Sequence, residues 1–161
     1  MPTSADPPDP PLPEDVVGQI GKHLQLTLVE LVALALAGKQ LQWNAYGREF
    51  LSLHRHLDRV VDEWRELGDV VAARAAAIGI PPDGSAAAVI ELGDLAPMAV
   101  GFIEVEHAND ALCAQLWEVT VRVRQRAELL GELDLVCQHV LVDVVRELEE
   151  GLWMMRAQLS D

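Results

Sequence analysis

His54 and Asp58 lie one helical turn apart, with Gln42 upstream and Glu66 and Asp69 downstream, in a stretch from Gln42 to Gly79 that is otherwise amphipathic. One imidazole and several carboxylates form a ligand set for a first-row divalent cation, the oxygens setting the preference for a hard ion. On a helical wheel of about 100° per residue with His54 at zero, Asp58, Asp69 and Asp62 fall near 40°, 60° and 80°. They flank an apolar face drawn by Phe50, Leu57, Val61 and Trp64. His56 falls near 200°, away from the acids, and reads as a surface residue.

Helical rise limits what one chain can do. His54 and Asp58 can share an ion, but Asp69 is about 22 Å from His54 along the axis, beyond any coordination sphere. Two copies packed antiparallel about a two-fold axis near Glu63 and Trp64 bring His54 and Asp58 of one opposite Asp69 and position 73 of the other. A complete site therefore demands a homo-oligomer. Arg65, on the same flank, is a candidate ion-pair partner for Asp58 or Asp69. Glu104 and His107 make one Glu-x-x-His where two-metal bundles use two, so they read as a helix-surface pair.

The elements that position these residues are helical. The spacing predicts a first helix from about Glu14 to Asn44, apolar nearly all round in its second half. A second runs from about Arg48 to Ile78, with Phe50, Leu53, Leu57, Val60, Val61, Trp64, Leu67 and Val71 recurring at three and four residues. Gly79 followed by Pro81 and Pro82 ends it. Ser85 is an N-cap for a short helix over Ala86 to Leu92, and long helices follow from about Pro97 to Leu130 and Glu132 to Leu159. Two long helices, a long connection carrying a small helix, and two more long helices define an all-α, ferritin-like four-helix bundle. Residues 1 to 13 hold six of the nine prolines and are expected to be a disordered tail, leaving residues 14 to 161 as the domain.

Gln42-Trp43-Asn44, Gly47, Leu53-His54, Asp58, Asp69, Ala73-Arg74 before Ile78-Gly79, and the closing segment Leu148 to Leu159 together resemble the Dps mini-ferritins, DNA-binding proteins from starved cells. The resemblance implies a ferroxidase site shared across a two-fold axis, with His54 and Asp58 from one subunit and Asp69 from its mate, in a dodecameric cage that stores ferric iron and limits oxidative damage. It places a tryptophan at Trp43 close to the iron. It also puts a three-fold pore near Glu132, Asp134 and His139, where the family often has an acid at the last position. Two positions depart from the family: Gln42 stands in place of histidine and Ala73 in place of glutamate. A glutamine carbonyl is a weak ligand and alanine is none, so iron binding is expected to weaken, with Glu66 as a candidate replacement acid.

Composition narrows the partners. The 161 residues carry 26 acidic and 12 basic side chains, a formal net charge of −14, which repels phosphate backbones and attracts cations. No lysine or arginine precedes Lys22, so DNA binding through a cationic tail is not expected. The apolar run from Leu24 to Ala37 is too short for a bilayer and reads as a core helix. Cys113 and Cys137, without a CxxC pattern, read as buried thiols of a cytoplasmic protein.

The leading expectation is an iron-sequestering mini-ferritin using His54, Asp58, Asp69 and Gln42. A non-catalytic shell protein with a degenerate site is the first alternative. A small helical-bundle metalloenzyme is the second.

Overall fold

The computed structural model describes residues 12 to 157; most of the proline-rich tail and residues 158 to 161 lie outside the described residues. Four long helices and one short one follow in chain order: α1 (Glu14–Asn44), α2 (Phe50–Ala77), α3 (Ala86–Leu92), α4 (Val105–Gly131) and α5 (Leu135–Ala157). This is the expected all-α, ferritin-like bundle with its extra short helix. α1 packs along α2, and α4 along α5.

α1 is long and apolar enough to cross a membrane by composition, yet 56% of its most apolar window is buried inside the bundle. Its core residues Ile20, Leu24, Leu31, Leu34 and Leu41 have essentially no exposure, so this is a core helix of the bundle. α1 and α2 approach closely at Gly38, where a Cβ would lie 2.6 Å from Val61 Cγ2 and 3.2 Å from Trp64 Cζ3. Only glycine fits that contact without displacing Val61.

α2 ends as its sequence signals. Gly79, at φ 82°, donates to Ala76 O, and Ile80 donates to Ala75 O, a Schellman pair that closes the last turn. Ser85 Oγ then accepts from Ala88 N to start α3. Gln25 holds the connection to α1 through both ends of its amide, donating to Asp83 O at 2.7 Å and accepting from Asp83 N at 3.0 Å.

Three sequence expectations need correction. The third long helix starts at Val105 rather than near Pro97, because Gly101 takes φ 120° and Ile103–Glu104 pairs in parallel with Ala45–Tyr46 as a two-residue bridge. The final helix starts at Leu135 rather than Glu132: Glu132 caps α4, and Asp134 Oδ2 accepts from Cys137 N at 2.7 Å as the N-cap of α5. His56 is buried at 8% exposure, not on the surface. The buried residues of α2 span an arc from about −160° at His56 to −20° at Val61, wider than the face first drawn, because α2 packs against α5 as well as α1.

Inside the bundle Glu30 of α1 is 2% exposed and accepts from both Arg122 Nε and Arg126 Nη1 of α4 at 2.5 Å. Thr27 Oγ1 accepts from Arg126 as well, at 3.4 Å. Removing the carboxylate leaves two guanidinium groups without their buried counter-charge. Glu30→Gln is expected to lower unfolding stability by about 3 kcal/mol or more, measured by urea titration.

Candidate metal centre

The antiparallel register of α1 on α2 brings Gln42 to His54 and Asp58. Gln42, 3% exposed, donates from Nε2 to Asp58 Oδ1 at 2.6 Å and to His54 O at 3.0 Å. Its Oε1 accepts from Lys39 Nζ at 2.7 Å. Lys39 Nζ also pairs with Asp58 Oδ1 at 2.9 Å. The orientation of this amide is unambiguous, because a lysine ammonium can only donate and an ionised carboxylate can only accept.

Lys39 was not among the residues singled out from sequence. It is one of two lysines in the chain, three residues before Gln42 in an otherwise apolar half-helix, and that placement was the available signal. Its ammonium adds a fixed positive charge beside the candidate ligands. Hydrogen bonds from Gln42, then Lys39, hold the Asp58 carboxyl below its usual range. Asp58 is thus a fully ionised carboxylate with one oxygen already occupied by two donors.

The remaining ligand pair is His54 Nε2 and Asp58 Oδ2, 3.9 Å apart. Bonds of about 2.0 to 2.2 Å from each would reach an ion between them. The far ring nitrogen, His54 Nδ1, is buried and has no partner among the described residues. Phe50 covers the imidazole at a centroid distance of 5.3 Å.

Asp69 does not join this group in one chain. It is exposed on α2, as are Glu66 and Ala73. Arg65 pairs with Asp62 at 3.2 Å rather than with Asp58 or Asp69. Among the described residues no cluster of three or more His, Cys, Asp or Glu side chains is placed to hold a metal. Trp43, beside Gln42 in sequence, is 69% exposed. Glu104 and His107 are both exposed at the start of α4.

The residues expected near a pore have diverse surroundings. Glu132 is exposed. His139 is exposed with Nε2 3.7 Å from Asp143 Oδ2. Asp134 is partly buried and accepts from Arg74 Nη2 at 3.0 Å as well as from Cys137 N. Burial pushes its carboxyl up, and the hydrogen bonds from Cys137 and Arg74 outweigh that and bring it down. Both cysteines are free and buried, as expected. Burial, then Asp134, pushes the Cys137 thiol up to about 11, so it is held as an inert thiol.

This bundle is that of a ferritin-type protein. A description of the ferritin-like domain matches residues 21–161, and the chain belongs to that family. Within it, the chain is a Dps-type mini-ferritin. It is 31% identical to the DNA protection during starvation protein of Mycolicibacterium smegmatis, over 94% of this chain and 82% of the relative. It superposes on DpsA14 from Streptomyces coelicolor with a TM-score of 0.91 at 28% identity, covering 97% of this chain and 94% of the other. It is also 30% identical to the fine tangled pili major subunit of Haemophilus ducreyi, over 88% of this chain and 75% of that one.

The buried His56 supplies a pH dependence outside the candidate centre. Arg59 Nη2 lies 3.4 Å from its Nδ1, which must accept, and Nε2 has no partner among the described residues. Burial, then the Arg59 charge, lowers its pKa from about 6.5. The folded state thus favours the neutral ring, so stability is full above the unfolded value and falls as pH drops below about 6.5, where the unfolded chain takes up the proton first. Thermal melting midpoints are expected to fall between pH 7.5 and pH 5, and His56→Gln should flatten that dependence.

Proposed function

We propose that this chain forms a Dps-like cage that sequesters iron and limits oxidative damage, with only slow Fe²⁺ oxidation at its two-fold centres. The single observation that carries this reading is the double occupation of Asp58 Oδ1 by Lys39 and Gln42. Fe²⁺, the substrate, would have to displace an ammonium and an amide before Asp58 could coordinate through that oxygen. His54 Nε2 and Asp58 Oδ2 stay available, and the partner's Asp69 would complete a reduced site. Gln42 contributes little as a ligand while its carbonyl accepts from Lys39. Glu66 is a further candidate acid across the axis. The dodecamer, the ferric store and the cytoplasmic setting come with the family reading. An acidic chain of net charge −14 favours concentration of Fe²⁺ inside such a cage. Glu132 and His139 remain candidates for the ion passage, and Asp134 is a weaker one because Arg74 neutralises it.

A non-catalytic shell is the second reading, favoured by the same ammonium together with Ala73. Fe²⁺ oxidation followed by absorbance separates the two. We expect slow oxidation, a further several-fold loss in His54→Ala, and a gain in Lys39→Ala as Asp58 is freed. A wild-type rate equal to the protein-free blank, unchanged by either substitution, would establish the shell.

DNA compaction is not part of this function, because the average surface repels the phosphate backbone. Plasmid mobility in a gel is expected to be unaltered at about 150 mM salt, where salt further weakens any contact to phosphate.

A further inference from the structure

Thiols and thioethers are the side chains that a peroxide oxidises reversibly. Both cysteines of this chain are buried. Among the described residues three methionines remain, and their surroundings differ. Met155 has no exposure. Met98 is partly buried and packs against the apolar core. Met154, partly exposed near the end of α5, differs from both, because its Sδ accepts from Arg59 Nη2 of α2 at 3.6 Å.

Arg59 is held in place by its other contacts. Nη1 donates to Glu63 Oε1 at 2.5 Å, one turn along α2, and Nη2 lies 3.4 Å from His56 Nδ1. Neither Nη2 contact is a strong hydrogen bond at these lengths, and a thioether is a weak acceptor. A guanidinium N–H is therefore positioned beside the Met154 sulfur with capacity for a better acceptor.

We propose that Met154 is a peroxide-modification site, at which the sulfur becomes a sulfoxide and Arg59 captures the new oxygen, tightening α5 on α2. A sulfur lone pair attacks one oxygen of hydrogen peroxide and the O–O bond breaks. The departing hydroxide takes the proton of the transferred oxygen and leaves as water. The sulfur loses two electrons and the peroxide gains them. Arg59 donates to one lone pair and leaves the second free to react, and its charge stabilises the departing oxygen. Oxidation of methionine ordinarily loosens packing, because a polar oxygen enters an apolar contact. Here rotation about the last side-chain bond presents that oxygen to Nη2, and a weak sulfur contact becomes a charge-assisted hydrogen bond. The modification needs neither the candidate iron centre nor a second subunit, so it stands or falls apart from the cage reading.

Limiting hydrogen peroxide added to the full chain in excess chelator tests the proposal, with oxidised positions read by peptide mass spectrometry. Met154 should gain oxygen several-fold faster than Met98, with Met155 slower still. Met98 oxidised as fast as Met154, or faster, would overturn the site. Thermal melting of the oxidised and reduced forms tests the capture, in a Met98→Leu background that conserves core volume. Oxidation should raise the midpoint by about 2 to 4 °C, the shift one added hydrogen bond gives in a chain of this length. Adding Arg59→Gln should slow oxidation of Met154 several-fold and make the oxidised form melt below its own reduced form. Arg59→Lys, which keeps a cationic donor, should recover part of both effects. Each variant is compared with its own reduced form, so a lower starting stability does not alter the reading. A midpoint that falls on oxidation equally with and without Arg59→Gln would overturn the capture, and so would a rise that survives Met154→Leu.

Discussion

Close approach of α1 to α2 at Gly38 is the constraint on which the centre depends. With no side chain there, Val61 and Trp64 fill the space against the α1 backbone, and the two helices settle into one antiparallel register. That register carries Lys39 and Gln42, one and four residues further on, to Asp58 and His54. A slip of one residue would rotate these side chains by about 100° and separate the amide from its acceptors. The same packing places Glu30, two turns earlier on α1, between Arg122 and Arg126. One contact of small size thus fixes both the buried charge network and the surface site.

The isolated chain has a surface at odds with independence. Trp43, Val100, Phe102 and Ile90 are all strongly exposed on a chain of net charge −14. Like-charged copies repel at long range, so assembly needs apolar burial at short range and ion pairs placed where carboxylates would otherwise meet. The face around Leu36 and Trp64 offers the first.

Much of this architecture was legible in the sequence. The bounds of α1 and α3 were readable because a run of apolar spacing begins or ends at residues with definite backbone preferences, Pro13 and Ser85 among them. The start of α4 was not, since Pro97 is acceptable at a helix start and only the bridge between Ala45–Tyr46 and Ile103–Glu104 keeps the segment extended. His56 was misplaced because a wheel for one helix cannot tell how many neighbours it has. At the site, His54, Asp58 and Gln42 were found by ligand type. Lys39 was missed because the search was for groups that donate electron pairs to a metal, and an ammonium is instead what such groups hold when no metal is present. Asp69 was placed on the flank of α2, where it is exposed and makes no contact with the other candidate ligands among the described residues.

Two features make this centre less negative than the ligand set the family resemblance implies: Ala73 stands where that set has an acid, and Lys39 contributes a cation bonded to Asp58, while Gln42 is neutral. Unselected loss of a metal site would leave buried polar groups without partners, each costing about 1 to 3 kcal/mol. Gln42 shows the opposite condition. Its amide nitrogen meets two acceptors and its oxygen meets a donor, in a position almost closed to solvent. A histidine in its place could not both donate to Asp58 and accept from Lys39 on the same edge, so Gln42 and Lys39 fit each other as a pair. The amide is therefore better understood as the hinge of a polar network than as the remnant of a ligand.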